Sequence, residues 1–325
     1  MKKADIQNNL NQNVSAQTET KSTKEKGSKS HAWFRYTMIA TLCLGLGAGV
    51  GIYVKRKYGK EQIDYSNFDG SAYAADAKAL LEAYNKDPNQ DFTSAELVNI
   101  GLEKYRQCEY SYSFGIGTAS TIVNQTIRSV QIRNGNNYFE ESISRSSMVS
   151  LASRTEQTLD VDNIDVYEGK ADTDETATYD GSKTSHSLNE YKDRMGKTLD
   201  EMFIYTISDE TCYENSETKV LDNKNKQITL YLDPELSTYY YKNQMKNMSN
   251  LDELPIFSNI TLTYTFTEDM TLLHCHVDEK YSAKMGVSVS ITNSIDYYYH
   301  ANVEKAIPAL DEPCDYSTEG EIDYE

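Results

Sequence analysis

In Asn259-Ile-Thr-Leu-Thr-Tyr-Thr-Phe-Thr267 every second residue is apolar: Ile260, Leu262, Tyr264 and Phe266 stand opposite Thr261, Thr263 and Thr265. A period of two is the mark of an extended strand with one face buried. The pattern then repeats twice. In Leu273 to Tyr281, residues Leu273, Cys275, Val277 and Tyr281 oppose His274, His276 and Asp278, and in the third run Val287, Val289, Ile291, Ile295, Tyr297 and Tyr299 oppose Ser288, Ser290, Thr292, Ser294 and Asp296. Short turns at Glu268-Asp269 and Ala283 to Gly286 join the three runs, so the spacing predicts an antiparallel meander.

Working back towards the N-terminus, the same period appears at Tyr110, Tyr112, Phe114 and Ile116, then at Thr126 to Arg133, which turns at Asn134-Gly135 into Tyr138 to Ile143. These read as antiparallel strands with one wet face. Before them, Thr93-Ser-Ala-Glu96 is a capping-box pattern, and Ala95, Val98, Leu102, Tyr105 and Cys108 follow at helical steps of three and four. Ala74, Ala77, Leu80, Leu81 and Tyr84 predict an earlier helix closed by Pro88. Ser187-Leu-Asn-Glu190 opens a short helix that Gly196 can end, and Asp233-Pro234-Glu235 starts another running to about Met248. Asp160 to Ser187 is acidic and rich in Thr and Ser, which predicts loops and short edge strands, while a strand pair is expected at Met202 to Thr211 and Lys226 to Leu232.

The predicted class is α+β, a broad curved antiparallel sheet forming an open half-barrel packed on helices and preceded by one transmembrane helix. Tyr36 to Val54 carries no charge, and its 19 residues as a helix span roughly 28 Å, close to a hydrocarbon core. Lys29 and Arg35 before it and Lys55, Arg56, Lys57 and Lys60 after it, with Trp33, Phe34, Tyr36 and Tyr53, have the look of interfacial anchors. The basic flanks nearly balance, so orientation is inferred from the large domain, whose composition suits the outside of a cell. Gly45 with Gly49 and Gly47 with Gly51 form small-xxx-small spacings through which two such helices could pair as a homodimer. The expected organisation is a disordered polar tail over 1–32, the transmembrane helix over 33–57, a helical connector over 58–90, the β-rich extracytoplasmic domain over 91–309 and an acidic tail over 310–325. The chain is thus expected at the cell membrane, single-pass, with the lipid bilayer as its first partner.

Charge is unevenly spread. The chain has a formal net charge of -18; residues 1–60 hold 11 Lys/Arg against 3 Asp/Glu, leaving 21 against 47 in the remainder. A surface that acidic repels nucleic acid, which is therefore not an expected partner. Cys108, Cys212, Cys275 and Cys314 show no metal-type spacing, and the sequence does not choose among their pairings or free thiols.

The first strand pair behind an N-terminal helix, the block Asn189-Glu-Tyr191 to Gly196, the helix after Leu232-Asp233-Pro234 and the final meander ending in Ile307-Pro308 together resemble anchored extracytoplasmic proteins of Gram-positive bacteria. Their domain is similar to the outer-membrane lipoprotein carrier (LolA-like) fold. That resemblance, over about Asp91 to Pro308, implies an unclosed barrel around helices and the binding or carrying of an apolar ligand such as a lipid, acyl chain or lipoprotein. The family has no fixed motif, so no ligand residue is carried over. From the strand pattern itself the candidate lining is Ile260, Leu262, Tyr264, Phe266, Val287, Val289 and Ile291, with a filled core as the competing reading of the same face.

Candidate chemistry is thin. His274 and His276 share a strand face about 6.6 Å apart with Asp278 in the same row, a set that could ligate a divalent metal but equally forms the solvent side of an alternating strand. Asp160, Asp162, Asn163 and Asp165, followed by Asp172 and Asp174, lack the glycine of a calcium loop. Phe114-Gly-Ile-Gly117 lacks the Lys-Ser/Thr ending of a phosphate loop, and no Gly-x-Ser-x-Gly elbow occurs. No catalytic residue, metal or cofactor is expected. The expectation is a non-enzymatic, membrane-tethered binding domain; the alternative is a structural or sensory ectodomain recognising a protein or cell-wall polymer through exposed tyrosines.

Overall fold

The computed structural model describes residues 74–121, 124–146, 150–171, 179–195, 198–199, 205–249, 251–285 and 287–309. The expected membrane span Tyr36 to Val54, its glycine spacings, the tails 1–32 and 310–325, and Cys314 lie outside the described residues. Among the described residues no helix is long and apolar enough to cross a membrane.

Two helices open the described chain. α1 (Ala77–Lys86) starts where the Asp76 side chain accepts from Ala79 N (3.1 Å), and it buries Leu81 and Tyr84. α2 (Ser94–Arg106) has the full capping box: Thr93 Oγ1 accepts from Glu96 N, and Glu96 Oε2 accepts from Thr93 N. Its predicted stripe is buried, with Ala95, Val98, Leu102 and Tyr105 turned inward. Tyr84 lies against Phe92, ring centres 5.9 Å apart, and α1 packs beside α2; residues 58–73 of the expected connector lie outside the described residues.

Eleven strands form one open antiparallel sheet: β1 (Tyr110–Ser120), β2 (Asn124–Asn134), β3 (Asn137–Ser146), β4 (Ser150–Leu159), β5 (Asn163–Ala171), β6 (Asp180–Ser187), β7 (Glu217–Val220), β8 (Lys226–Tyr231), β9 (Ile256–Phe266), β10 (Leu272–Met285) and β11 (Val287–Ala301). Their order is β6-β5-β4-β3-β2-β1-β11-β10-β9-β8-β7. Two meanders therefore meet where β1 pairs with β11. The β2–β3 hairpin closes where Asn134 pairs with Asn137, and Gly135 supplies the positive φ of 59° that a primed two-residue turn needs. α3 (Leu188–Met195) follows β6, its N-terminus capped by Ser187 Oγ accepting from Glu190 N (3.3 Å).

Several expectations are corrected. Within Asp160 to Ser187, of which 172–178 lie outside the described residues, β6 is the expected short edge strand, but β5 is an inner strand with a ladder on each side, because Ile164 and Val166 turn inward against Tyr191 while Asp160, Asp162 and Asp165 face outward. The described part of the expected strand at Met202 to Thr211 is instead a set of turns. There Thr211 Oγ1 accepts from Ser208 N (2.9 Å) and donates to Thr206 O (2.8 Å), and β8 pairs with β7 on one side and β9 on the other. Asp233 Oδ1 does accept from Glu235 N and Leu236 N, but regular helix begins only at Tyr239, giving α4 (Tyr239–Ser249).

The expected wet face appears only at one end of these strands, where Thr118, Ser120, Asn124, Thr126 and Arg128 are exposed; elsewhere β1 to β3 are largely buried on both sides. One side faces α2, whose Tyr105 ring meets Tyr299 edge-on at 5.2 Å. On the other, Tyr112, Phe114, Val130, Ile132 and Phe139 form a cluster that Tyr298 and Ile307 cover. The segment 302–309 is a strap across this second face. Arg154 anchors it, only 1 % exposed, donating to Pro308 O and Ala309 O while its guanidinium lies 4.8 Å from the Phe139 ring and pairs with Glu156 (2.7 Å). Lys305 Nζ sits 3.9 Å from the Tyr112 ring centre.

Candidate functional site

The expected lining residues gather on the α2 face. Ile260, Leu262, Tyr264 and Phe266 on β9 and Val289 and Ile291 on β11 are all buried; Val287 opens β11, and its side chain lies outside the described set. The strand register sets Leu262 opposite Val277, Tyr264 opposite Cys275, Ile291 opposite Tyr281 and Val289 opposite Ala283, so β10 fills the space between the two groups. Phe266 lies directly under α2. A Cβ on Gly101 would come within 2.1 Å of its ring, so the helix reaches the sheet there only because residue 101 has no side chain.

In the middle of this apolar face stands a carboxyl group. Glu279 is 2 % exposed and lies between Ile260 of β9 and Asn293 of β11. Its Oε1 accepts from Asn293 Nδ2 (2.6 Å) and from Tyr241 Oη on α4 (3.2 Å), and its Oε2 accepts from Tyr205 Oη. Burial pushes the Glu279 carboxyl up to about 7, against the opposing pull of the bonds from Tyr205, Asn293 and Tyr241. The alternation in the sequence passed over both partners: Glu279 interrupts Val277 and Tyr281, and Asn293 interrupts Ile291 and Ile295. A polar residue at an inward position was the available signal.

A second polar line crosses the same face towards β3. Ser113 Oγ donates to Gln131 Oε1 (3.4 Å), and Gln131 Nε2 donates to Glu140 Oε2 (3.3 Å). Burial pushes the Glu140 carboxyl well above its ordinary value, with Gln131 opposing. Tyr297 stands between the two acids. Its hydroxyl is made less acidic by burial, then by the charges of Glu279, Cys275 and Glu140. The ring fits because Gly115 leaves room for it; a Cβ there would lie 2.5 Å from Ser129 Oγ and 2.8 Å from the Tyr297 ring. The Phe114 to Gly117 segment thus serves close packing within β1. Chemically, the face holds two carboxyl groups whose burial favours the protonated form, joined to tyrosines and amides that can donate or pass on hydrogen bonds.

The histidine pair lies on the opposite face. His274 Nε2 and His276 Nδ1 both meet Asp296 Oδ1, at 2.9 and 2.8 Å, and His276 Nε2 meets Asp278 Oδ2 at 3.1 Å. The hydrogen bond to Asp296 raises the His276 pKa, opposed by burial and assisted by Asp278. Asp296 is held well below the usual carboxylate range by the bonds from His274 and His276. His300, which the sequence could not place, shares this face and stacks on Tyr112 (5.3 Å); Phe114 and Tyr298 stack beside them at 4.8 Å. Burial lowers the His300 pKa, and Lys305 lowers it further. Among the described residues no three His, Cys, Asp or Glu side chains are arranged to hold a metal ion. Asp160 and Asp165 bind their own hairpin, through Val161 N and Ser185 Oγ, and Asp172 and Asp174 lie outside the described residues.

Cys108, Cys212 and Cys275 are free thiols. Burial pushes Cys212 up to about 11 and raises the other two as well, the opposite of what an activated nucleophile requires. No protein-family model matches the chain, and no curated protein matches it.

Proposed function

We propose that this chain is a membrane-tethered, non-enzymatic extracytoplasmic protein whose sheet curves as an open half-barrel, similar to the lipoprotein-carrier fold, and binds an apolar ligand on its α2 face. The observation that carries this reading is the single open sheet in which Ile260, Leu262, Tyr264, Phe266, Val289 and Ile291 all turn to the face that also receives the helices. Clustered apolar side chains with a few convergent polar groups, here Glu279 and Asn293, are the usual make-up of a small-molecule site. The anchor at Tyr36 to Val54 would keep the site beside a lipid surface.

The second reading, an ectodomain that recognises a protein or wall polymer through surface tyrosines, draws on fewer of them than the composition suggests. Tyr105, Tyr112, Tyr191, Tyr241, Tyr264, Tyr281 and Tyr299 are all buried. Organic extraction of the purified full-length protein, followed by mass spectrometry, tests the first reading. A lipid or acyl chain recovered in near-stoichiometric amount, and displaced when Ile291 or Val289 is replaced by Asp, supports it. A protein free of lipid that also fails to take up a fluorescent fatty acid sinks it.

A further inference from the structure

Glu279 is the point at which four separate parts of the chain meet. The carboxyl group belongs to β10, Asn293 to β11, Tyr241 to α4 and Tyr205 to the turns over 205–211. Tyr205 and Tyr241 also pack edge-on against each other, 5.5 Å between ring centres, and Tyr241 continues onto Phe257 at 5.2 Å. The two tyrosines thus join the cover of this face to its floor through one carboxyl group. We propose that Glu279 is a proton-operated latch holding α4 and the 205–211 turns against the sheet, closed while the carboxyl is protonated and released when it ionises.

Among the described residues no compensating charge bonds to the carboxyl. The groups facing Glu279 are Tyr205, Tyr241 and Asn293, with Tyr297 on β11 and the apolar Ile260 on β9. On α4 the adjacent Lys242 pairs with Glu235 (2.8 Å). An ionised Glu279 in the closed state is therefore held by three hydrogen bonds from neutral donors, which lessen the desolvation penalty without cancelling it. In an opened state the same carboxyl is hydrated and titrates at its ordinary value near 4.5. The sign follows: between that value and about 7 the opened form binds fewer protons than the closed form, so each rise in pH favours opening.

The inference rests on the proposed function only in taking the covered face as the ligand face; the opening itself is measured without ligand. Hydrogen exchange on the full-length chain in non-ionic detergent, corrected for intrinsic rates, should show 205–211 and the first turn of α4 opening on the order of 50-fold more at pH 8 than at pH 5. Glu279→Gln should abolish that dependence, and Tyr205→Phe should raise opening at both pH values while keeping the dependence on pH. Equal opening at the two pH values, or an unchanged dependence in Glu279→Gln, overturns the latch. If Glu279→Gln fails to fold, a ¹³C titration of the Glu279 carboxyl in the unaltered protein decides instead, and an ordinary value near 4.5 overturns the proposal. Loss of ligand binding with the pH-dependent opening intact would sink the carrier reading and leave the latch standing.

Discussion

At the scale of single residues, this protein is governed by side chains whose neighbours lie far away in sequence. Gly101 is the plainest case. Replacing it with Ala gains about 1 kcal/mol of helix propensity, but it drives a methyl group into a Phe266 ring that has the sheet behind it, at a cost of roughly 1–3 kcal/mol. Because the approach of 2.1 Å is far inside contact distance, the cost should prevail, and Gly101→Ala should lower the urea midpoint. An unchanged midpoint would mean that the ring turns aside. Arg154→Met keeps most of the side-chain volume but leaves Pro308 O and Ala309 O without their donor; the expected loss is roughly 2–4 kcal/mol, read from the same denaturation curve. Neither residue could be singled out from the sequence, where Gly101 looks like a weak point in a helix and Arg154 like a surface cation on a polar strand. Glu279 was hidden for a related reason, since an alternating pattern is recognised by its apolar members and a charge at an inward position reads as a flaw.

Among elements, those with strong local signals were legible. The capping box of α2, the hairpin at Gly135 and the three long strands β9 to β11 appear where the residue spacing puts them, because each depends on neighbours within a few positions. β4, β6 and β7 were hard to see because they are short of apolar residues and owe their order to pairing with a strand already in place. The strap over 302–309 carries no periodicity at all; its structure comes from Arg154, Tyr112 and the apolar cluster under it. A chain ending after Glu304 keeps the β11 ladder yet loses Ile307 and the Arg154 acceptors. It should lose roughly 2–3 kcal/mol and bind a hydrophobic dye through Tyr112, Phe114 and Phe139. Full stability without dye binding would show that the strap is dispensable.

For the whole molecule, the ionisable groups predict a preference for mildly acidic conditions. Glu279 has a raised pKa, so it adds no pH-dependent penalty below about 4.5, a growing one as pH rises, and a steady one of about 3 kcal/mol above about 7. Glu140 acts in the same direction. The raised pKa of His276 adds stability that is present below 6.5 and lost as pH climbs through its higher folded value. Asp296 is depressed and works from the other end, its contribution present above 3.8 and lost in stronger acid. The thermal midpoint should therefore be higher at pH 5.5 than at pH 8, and a flat or reversed profile would contradict this assignment. The pairing of β1 with β11 sets a further constraint, on timing. A chain made from its N-terminus presents β1 to β6 long before β11 exists, and the edge of β1 stays open until some 170 further residues have appeared. The two wings can be joined only once β11 has been made, so through that long interval a chaperone has one well-defined strand edge to guard.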